Sequence, residues 1–249
     1  MIKRIAKMAV IFMCATMCAA CANAKTVKGS KKMVRMTYNL SGFQAVDAEG
    51  QVSVTVKTGT EFSVTATVPD NVKDYFIFTV KDNTLKISNR KMSFSSAGKD
   101  YSPSVTVTLP ELRSIDASDQ SALSFSGNVA ANFAVSTSGQ SSVRYSGTLN
   151  VTNIAIETSD QSSLNISELN ATNAAVNSEG QSSIRFSVFN VKNGLAMSSS
   201  DQSSIRGNKL NCKGKGTLKA EDQSSINFTA AAGNVNWSKS GQASCSLGR

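Results

Sequence analysis

Four aspartates, Asp119, Asp160, Asp201 and Asp222, recur at one place in a repeated octapeptide; Arg144, Arg185 and Arg206 recur five residues beyond that same place. Each set suggests a chemistry. Two carboxylates held about 5–9.5 Å apart can cleave a glycosidic bond. Arginines in a row can pair with the acidic groups of an anionic polymer. Asp201 and Asp222 fall one repeat apart and are the pair closest to the catalytic range. Yet every one of these aspartates occupies a turn position, which accounts for it without catalysis. The sequence contains no histidine. That removes Ser-His-Asp and Cys-His nucleophile systems and the usual zinc sites. No glycine-rich loop leads into a helix to cradle phosphate. The GGxGxD pattern of calcium-binding β-rolls is absent. No catalytic residue, metal ligand or cofactor is therefore assigned.

The octapeptide has seven copies: SDQSALSF, SGQSSVRY, SDQSSLNI, EGQSSIRF, SDQSSIRG, EDQSSINF and SGQASCSL. Their glutamines are Gln120, Gln140, Gln161, Gln181, Gln202, Gln223 and Gln242, with spacings of 20, 21, 20, 21, 21 and 19. A fixed period of this size marks a repeat architecture. Apolar residues fill the same offsets in each copy. Three after glutamine come Leu123, Val143, Leu164, Ile184, Ile205, Ile226 and Cys245. Five before it come Ile115, Val135, Ile156, Val176, Met197, Leu218 and Trp237. Polar or small residues lie between them. This is period-two alternation, hence short strands with one buried face. The three-and-four spacing of helical repeats is missing.

We therefore expect an all-β chain, a right-handed parallel β-solenoid with about three short strands per coil of 20–21 residues. Its rungs would stack about 4.8 Å apart. Equivalent residues then lie above one another, and the glutamines can form an amide ladder along one vertex. The serine after each glutamine has the parity of the core and should point inward. The Asp or Gly before it should take a left-handed backbone conformation.

The start of the chain differs. FQAVDAEGQVSVTVKTG (43–59) aligns with LRSIDASDQSALSFSG (112–127), so a coil-like unit sits near the beginning. Residues 60–111 between them form an excursion of alternating segments, FSVTATV, FIFTV, TLKIS and SVTVTL, expected as antiparallel strands capping the solenoid. One domain over 25–249 is the expectation, with regular coils over 112–249; a separate N-terminal β domain is the alternative. The basic stretch 25–36 reads as a solvated flexible arm.

Residues 1–24 have the parts of a secretory signal: Lys3, Arg4 and Lys7, an apolar middle, and Ala22-Asn23-Ala24 as an A-x-A site. Cleavage after Ala24 would lower the formal charge from +9 to +6. A lipid-bearing Cys21 is the second reading, which would tether the chain to a membrane. Only Cys212 and Cys245 follow, so no disulfide framework is expected. No Lys/Arg run is interleaved with aromatics, which speaks against a nucleic-acid partner.

The start SGFQAVDAEGQVSVTVKTG, the segment KDNTLKISNRK, the bridge VTVTLPELRSIDASDQS and the short G/D-centred repeats resemble a bacterial family, the auto-transporter adhesin head GIN domain, a domain of unknown function. The likeness covers nearly all of the chain after residue 24. Family members usually carry Gly-Ser-Gly at the repeated corner, where this chain has Asp-Gln-Ser or Gly-Gln-Ser. The resemblance implies export to the periplasm or cell surface, a β-helical architecture and an adhesive role. It implies no catalytic residues. No stretch reads as a translocator barrel, so we do not expect an autotransporter in its own right.

Two outward rows carry the binding expectation. Four residues after each glutamine come Ser124, Arg144, Asn165, Arg185, Arg206, Asn227 and Ser246. Among them Arg144, Arg185, Arg206, Asn165 and Asn227 are the candidate ligand-binding residues, for an acidic glycan or a host or envelope surface component. A solvated sheet face is the competing reading of this row, since nothing aromatic accompanies it. Six before glutamine come Ala134, Ala155, Ala175 and Ala196, a strip suited to self-association or to cover by loops. The expected function is an exported, non-enzymatic binding or adhesion module. A polysaccharide lyase or hydrolase and a self-associating structural envelope protein are the alternatives.

Overall fold

The computed structural model describes residues 26–89, 93–98 and 101–248. The expected signal segment 1–24, with Cys21, and the expected start at Lys25 lie outside the described residues. Eighteen strands follow in order: β1 (Thr26–Lys28), β2 (Met33–Tyr38), β3 (Ala45–Glu49), β4 (Ser53–Thr58), β5 (Ser63–Pro69), β6 (Ile77–Lys81), β7 (Thr84–Ser88), β8 (Ser93–Ser95), β9 (Ser104–Leu109), β10 (Ser114–Ser118), β11 (Ala122–Ser126), β12 (Asn132–Thr137), β13 (Ser142–Thr158), β14 (Ser163–Ser178), β15 (Ser183–Ser199), β16 (Ser204–Ala220), β17 (Ser225–Lys239) and β18 (Ser244–Leu247). A short 3-10 turn, Lys73–Tyr75, separates β5 from β6.

The repeat folds into a parallel β-solenoid. β13, β14, β15 and β16 stack in parallel, each residue over its equivalent one period on. Every rung has three facing stretches: 142–145, 148–151 and 153–158 of β13 lie over 163–166, 168–171 and 173–178 of β14. Each strand runs on through two of the bends, where the pairing skips a residue or two, and ends at the glutamine corner. That corner is the sharp one. Asp119, Asp160, Asp201 and Asp222 have φ of 58–61°, and Gly139, Gly180 and Gly241 have φ of 66–69°. Asp and Gly stand there because few other residues accept the left-handed region. Register shifts fall elsewhere, after Tyr145, Ala171 and Cys212, so the other bends absorb the unequal spacing.

The core is a set of columns along the axis. Val46, Ile115, Val135, Ile156, Val176, Met197 and Leu218 form one column, each at most 3 % exposed. Phe125, Tyr145, Ile166, Phe186 and Phe228 form another, broken by Gly207. A Cβ at Gly207 would collide with the Phe228 ring, which leans into that place. Aromatic pairs brace the interior: Phe125 lies 4.7 Å from Tyr145, and Phe186 stacks on Phe189 at 4.6 Å.

The N-terminal region departs from expectation in two ways. Residues 60–111 are not a purely antiparallel excursion. β7 pairs in parallel with β3, and β9 in parallel with β4, so the excursion supplies a further rung beneath the first coil. Only the strands outside that rung run antiparallel: β6 on β7, β5 on β9 and β2 on β5. The basic stretch near the start is no free arm: Thr26–Lys28 pairs with β8, and Met33–Tyr38 pairs with β5. The alternation in VRMTY gives that segment an apolar face, and this outweighs its charge. Tyr38 of β2 stacks on Phe78 of β6 at 4.2 Å, joining the two antiparallel flaps.

Candidate functional site

Three of the four corner aspartates bond backbone of the preceding rung. The Asp160 carboxylate accepts from the Gly139 N–H of the preceding rung at 3.1 Å, and Asp201 does the same for Gly180. Asp222 reaches the Asp201 N–H at 3.4 Å. The pair considered for catalysis, Asp201 and Asp222, is thus engaged in closing corners. Among the described residues no three His, Cys, Asp or Glu side chains converge as a metal cluster would require.

The glutamine ladder forms in two runs. Gln51 donates to Gln120, and Gln140, Gln161, Gln181 and Gln202 are linked at 3.1–3.2 Å. Beyond Gln202 the amides of Gln223 and Gln242 leave the ladder, and no bond joins Gln120 to Gln140. Behind the ladder the serines turn inward as expected: Ser121, Ser141, Ser162, Ser182, Ser203 and Ser224 are all at most 2 % exposed. Ser141, Ser162, Ser203 and Ser224 donate to carbonyls of Ala117, Thr137, Ser178 and Ser199 on the preceding rung at 2.7–3.1 Å. A second hydroxyl column, Thr137, Thr158, Ser178 and Ser199, meets them from three residues before each glutamine. Ser121 alone among these serines lacks a partner; the positions that would carry the second hydroxyl beside it are Ala48 and Ala117. This buried polar seam holds the sharp corner shut because its members satisfy one another.

The candidate binding residues line up on the next face. Arg144, Asn165, Arg185, Arg206 and Asn227 occupy one column on five successive rungs. The three arginines are exposed, and none lies within 4.0 Å of a carboxylate among the described residues. Arg185, Arg206 and Asn227 border a groove of about 410 Å³ whose wall includes Phe186, Gly207, Phe228 and Ser246. Phe186 and Phe228 belong to the core, at 1 % and 2 % exposed, so no exposed ring accompanies the row. Arg144 and Asn165 share the column but lie outside the groove.

The alanines Ala134, Ala155, Ala175 and Ala196 face outward and are exposed. They are not covered by loops. Ala155, Ala175 and Ala196 border a shallower hollow of about 290 Å³ with Glu157 and Lys219.

Two asparagine ladders escaped the sequence reading. Asn150, Asn170, Asn190 and Asn211 are bonded in series at 2.6–2.9 Å, and Asn132, Asn153 and Asn173 likewise. Their spacing in the sequence matches that of the glutamines, and this was the available signal. The first ladder forms a wall of a groove of about 590 Å³, with Val191, Cys212, Lys192 and Lys213 in its lining. Burial raises the Cys212 thiol above its usual range, so it stays protonated at neutral pH. Among the described residues no helix is long and apolar enough to cross a membrane.

A parallel solenoid with amide ladders at its edges and open grooves on its sides presents a repeating surface, the layout of a binding protein. The chain belongs to the family described as "Putative auto-transporter adhesin, head GIN domain", whose model matches residues 42–208. Solved structures share its fold. A "putative adhesin" of Bacteroides fragilis NCTC 9343 is 19 % identical with a TM-score of 0.68, covering 89 % of this chain and 99 % of that one. Another from Parabacteroides distasonis ATCC 8503 is 16 % identical with a TM-score of 0.70, covering 90 % and 100 %. A "putative lipid binding protein" of the same organism is 13 % identical with a TM-score of 0.71, covering 90 % and 100 %. No protein of curated function matches the sequence.

Proposed function

We propose that the chain is an exported, non-enzymatic binding module that holds an acidic glycan along the Arg144–Arg185–Arg206 face, in the periplasm or at the cell surface. The observation that carries this reading is the pair Arg185 and Arg206. They stand on adjacent rungs, about 4.8 Å apart by strand spacing. Both are exposed and, among the described residues, unpaired, and both border one groove with Asn227. Unpaired guanidinium groups one rung apart suit a polymer that repeats its negative groups. The adhesin names of the family and of its structural neighbours support a binding role.

Titration of a polyuronate or sulfated glycan against the native chain and against Arg185→Ser/Arg206→Ser tests this. Charge-assisted hydrogen bonds contribute about 1.5–3 kcal/mol each. The double variant should therefore lose about a hundredfold or more in affinity, with native binding weakening as salt rises. Unchanged affinity removes this face. Loss only in Lys192→Ser/Lys213→Ser would move the site to the asparagine-lined groove. Release of unsaturated or shortened sugars would establish the lyase or hydrolase alternative instead.

A further inference from the structure

Among the described residues the far end of the solenoid has a stepped shape. β18 lies on β17 only through 244–247 over 225–228. Gly248 continues that rung briefly, bonding Phe228 and Ala231. The last stretch of β17, Asn234–Lys239, has β16 on one side and, among the described residues, no strand on the other. Its inward positions are Val235 and Trp237, and Trp237 is 49 % exposed. The end is therefore a step: the face bearing β18 stands one rung higher than the face bearing Asn234–Lys239. The usual guards of an edge strand are sparse here. From Ser224 to Gly248 the chain has no proline and one charged residue, Lys239.

We propose that this step is the docking surface for a second copy of the chain, joined by a two-fold axis across the solenoid axis. Turning one copy end over end exchanges high and low faces, so each β18 fills the space above the partner's Asn234–Lys239 stretch. The same turn reverses chain direction, so the strands meet antiparallel and extend the sheet of both copies. Trp237 and Val235 then cover the inward row of the partner's β18, Cys245 and Leu247. No like charges oppose one another, since β18 carries none. The opposite end offers no equivalent seat, because antiparallel strands already cover its first rung. The contact is thus isologous and closes at two copies, with no filament.

Sedimentation and light scattering of the full chain against concentration test this, with fluorescence of Trp237, the single tryptophan, read in parallel. The expected result is a mass of two chains, with a blue shift in emission over the same concentration range. Trp237→Lys, Val235→Lys and Leu247→Lys should each give a mass of one chain with the far-ultraviolet strand signal retained. The native fluorescence shift needs no variant, so it decides the matter even if a lysine variant fails to fold. One-chain mass at every concentration overturns the proposal. So do two-chain mass without a fluorescence shift, two-chain mass unaffected by the lysine variants, an open series of masses, or association only with another protein. Binding to the glycan probe rests on Arg185 and Arg206, so loss of dimer and loss of ligand remain separable.

Discussion

Leu85 and Trp237 sit in the same inward column at opposite ends of the solenoid, on the outermost rungs of that face. Leu85 is 0 % exposed and Trp237 is 49 % exposed. Between them the column passes through Val46, Ile115, Val135, Ile156, Val176, Met197 and Leu218 without a break in burial. The difference is what lies beyond. At the first end β6 pairs Val80 against Leu85 and Phe78 against Ile87, and Tyr38 stacks on Phe78. The corner is closed there as well: the Asn89 amide donates to the Gln51 carbonyl and accepts from the Gln51 N–H, both at 3.0 Å, in place of a missing rung. At the far end nothing comparable among the described residues covers Asn234–Lys239. An inward position in a solenoid is buried by its neighbours along the axis, and parity within its own strand only makes that burial available.

Substitution along this column gives the largest test of the comparison. Leu85→Ala and Ile156→Ala should each lower stability by about 2–5 kcal/mol, because both leave a cavity in a closed core. Trp237→Ala should lower the stability of the one-chain form by less than about 1 kcal/mol, although tryptophan is the largest of the three. Urea midpoints at low protein concentration measure all three. Equal losses at Leu85 and Trp237 would break the contrast between the ends.

A smaller contrast is expected at the corners. A Cβ on Gly180 would lie 2.9 Å from the Asp160 nitrogen, and φ there is +69°. Gly180→Ala should therefore cost about 1–3 kcal/mol, since rungs on both sides hold it. Gly241→Ala faces a similar approach from Asp222 below, but no corner lies above it. It can shift outward, and its loss should be roughly half as large by the same strain argument. Thermal melts of the two variants decide this; a larger loss at Gly241 would show that the far corner is held by something not yet accounted for.

The smallest effect concerns charge near the capped end. Asp116 lies between Asp47 and Ser136 on an outward column. Its carboxyl titrates above its usual value, first because the surrounding sheet strips water from it and second because Asp47 is a like charge. Asp47 is itself paired with Lys86 at 3.0 Å. The Asp116 side chain keeps solvent access, so screening limits the size of the effect. A raised carboxyl value means that the folded chain holds the proton more tightly than the unfolded one. Stability from this residue therefore falls as pH rises from about 3.9 through the folded value. Asp116→Asn should raise the melting temperature by about one degree at neutral pH. It should change nothing near pH 3, where both states are protonated. A gain that persists at low pH would assign the effect to something other than ionisation.

Much of the repeat was legible because its signals are periodic. The glutamine spacing gave the rung, the alternation gave the inward serines, and Asp or Gly before glutamine gave the left-handed corner. The Arg144, Arg185 and Arg206 column was legible for the same reason. The asparagine ladders were equally periodic, with Asn170, Asn190 and Asn211 nine residues after glutamine and Asn150 ten, but asparagine beside a bend reads as turn chemistry rather than as a bonded column. The groove at Arg185 and Arg206 was not legible, because its shape depends on the Phe228 ring leaning toward Gly207 one rung away.

The sequence alone determined the period, the parity and the corner, since each is set by residues that recur at fixed offsets along the chain. Only the tertiary structure decided that TLKIS and SVTVTL would slip beneath the first coil as a parallel rung, and that Trp237 would be left bare. Those outcomes depend on which strand lies next along the axis, and the strand beneath the first coil comes from a later part of the chain. Alternation marks which side of a strand can be buried, but the partner that does the burying is chosen by packing between distant segments.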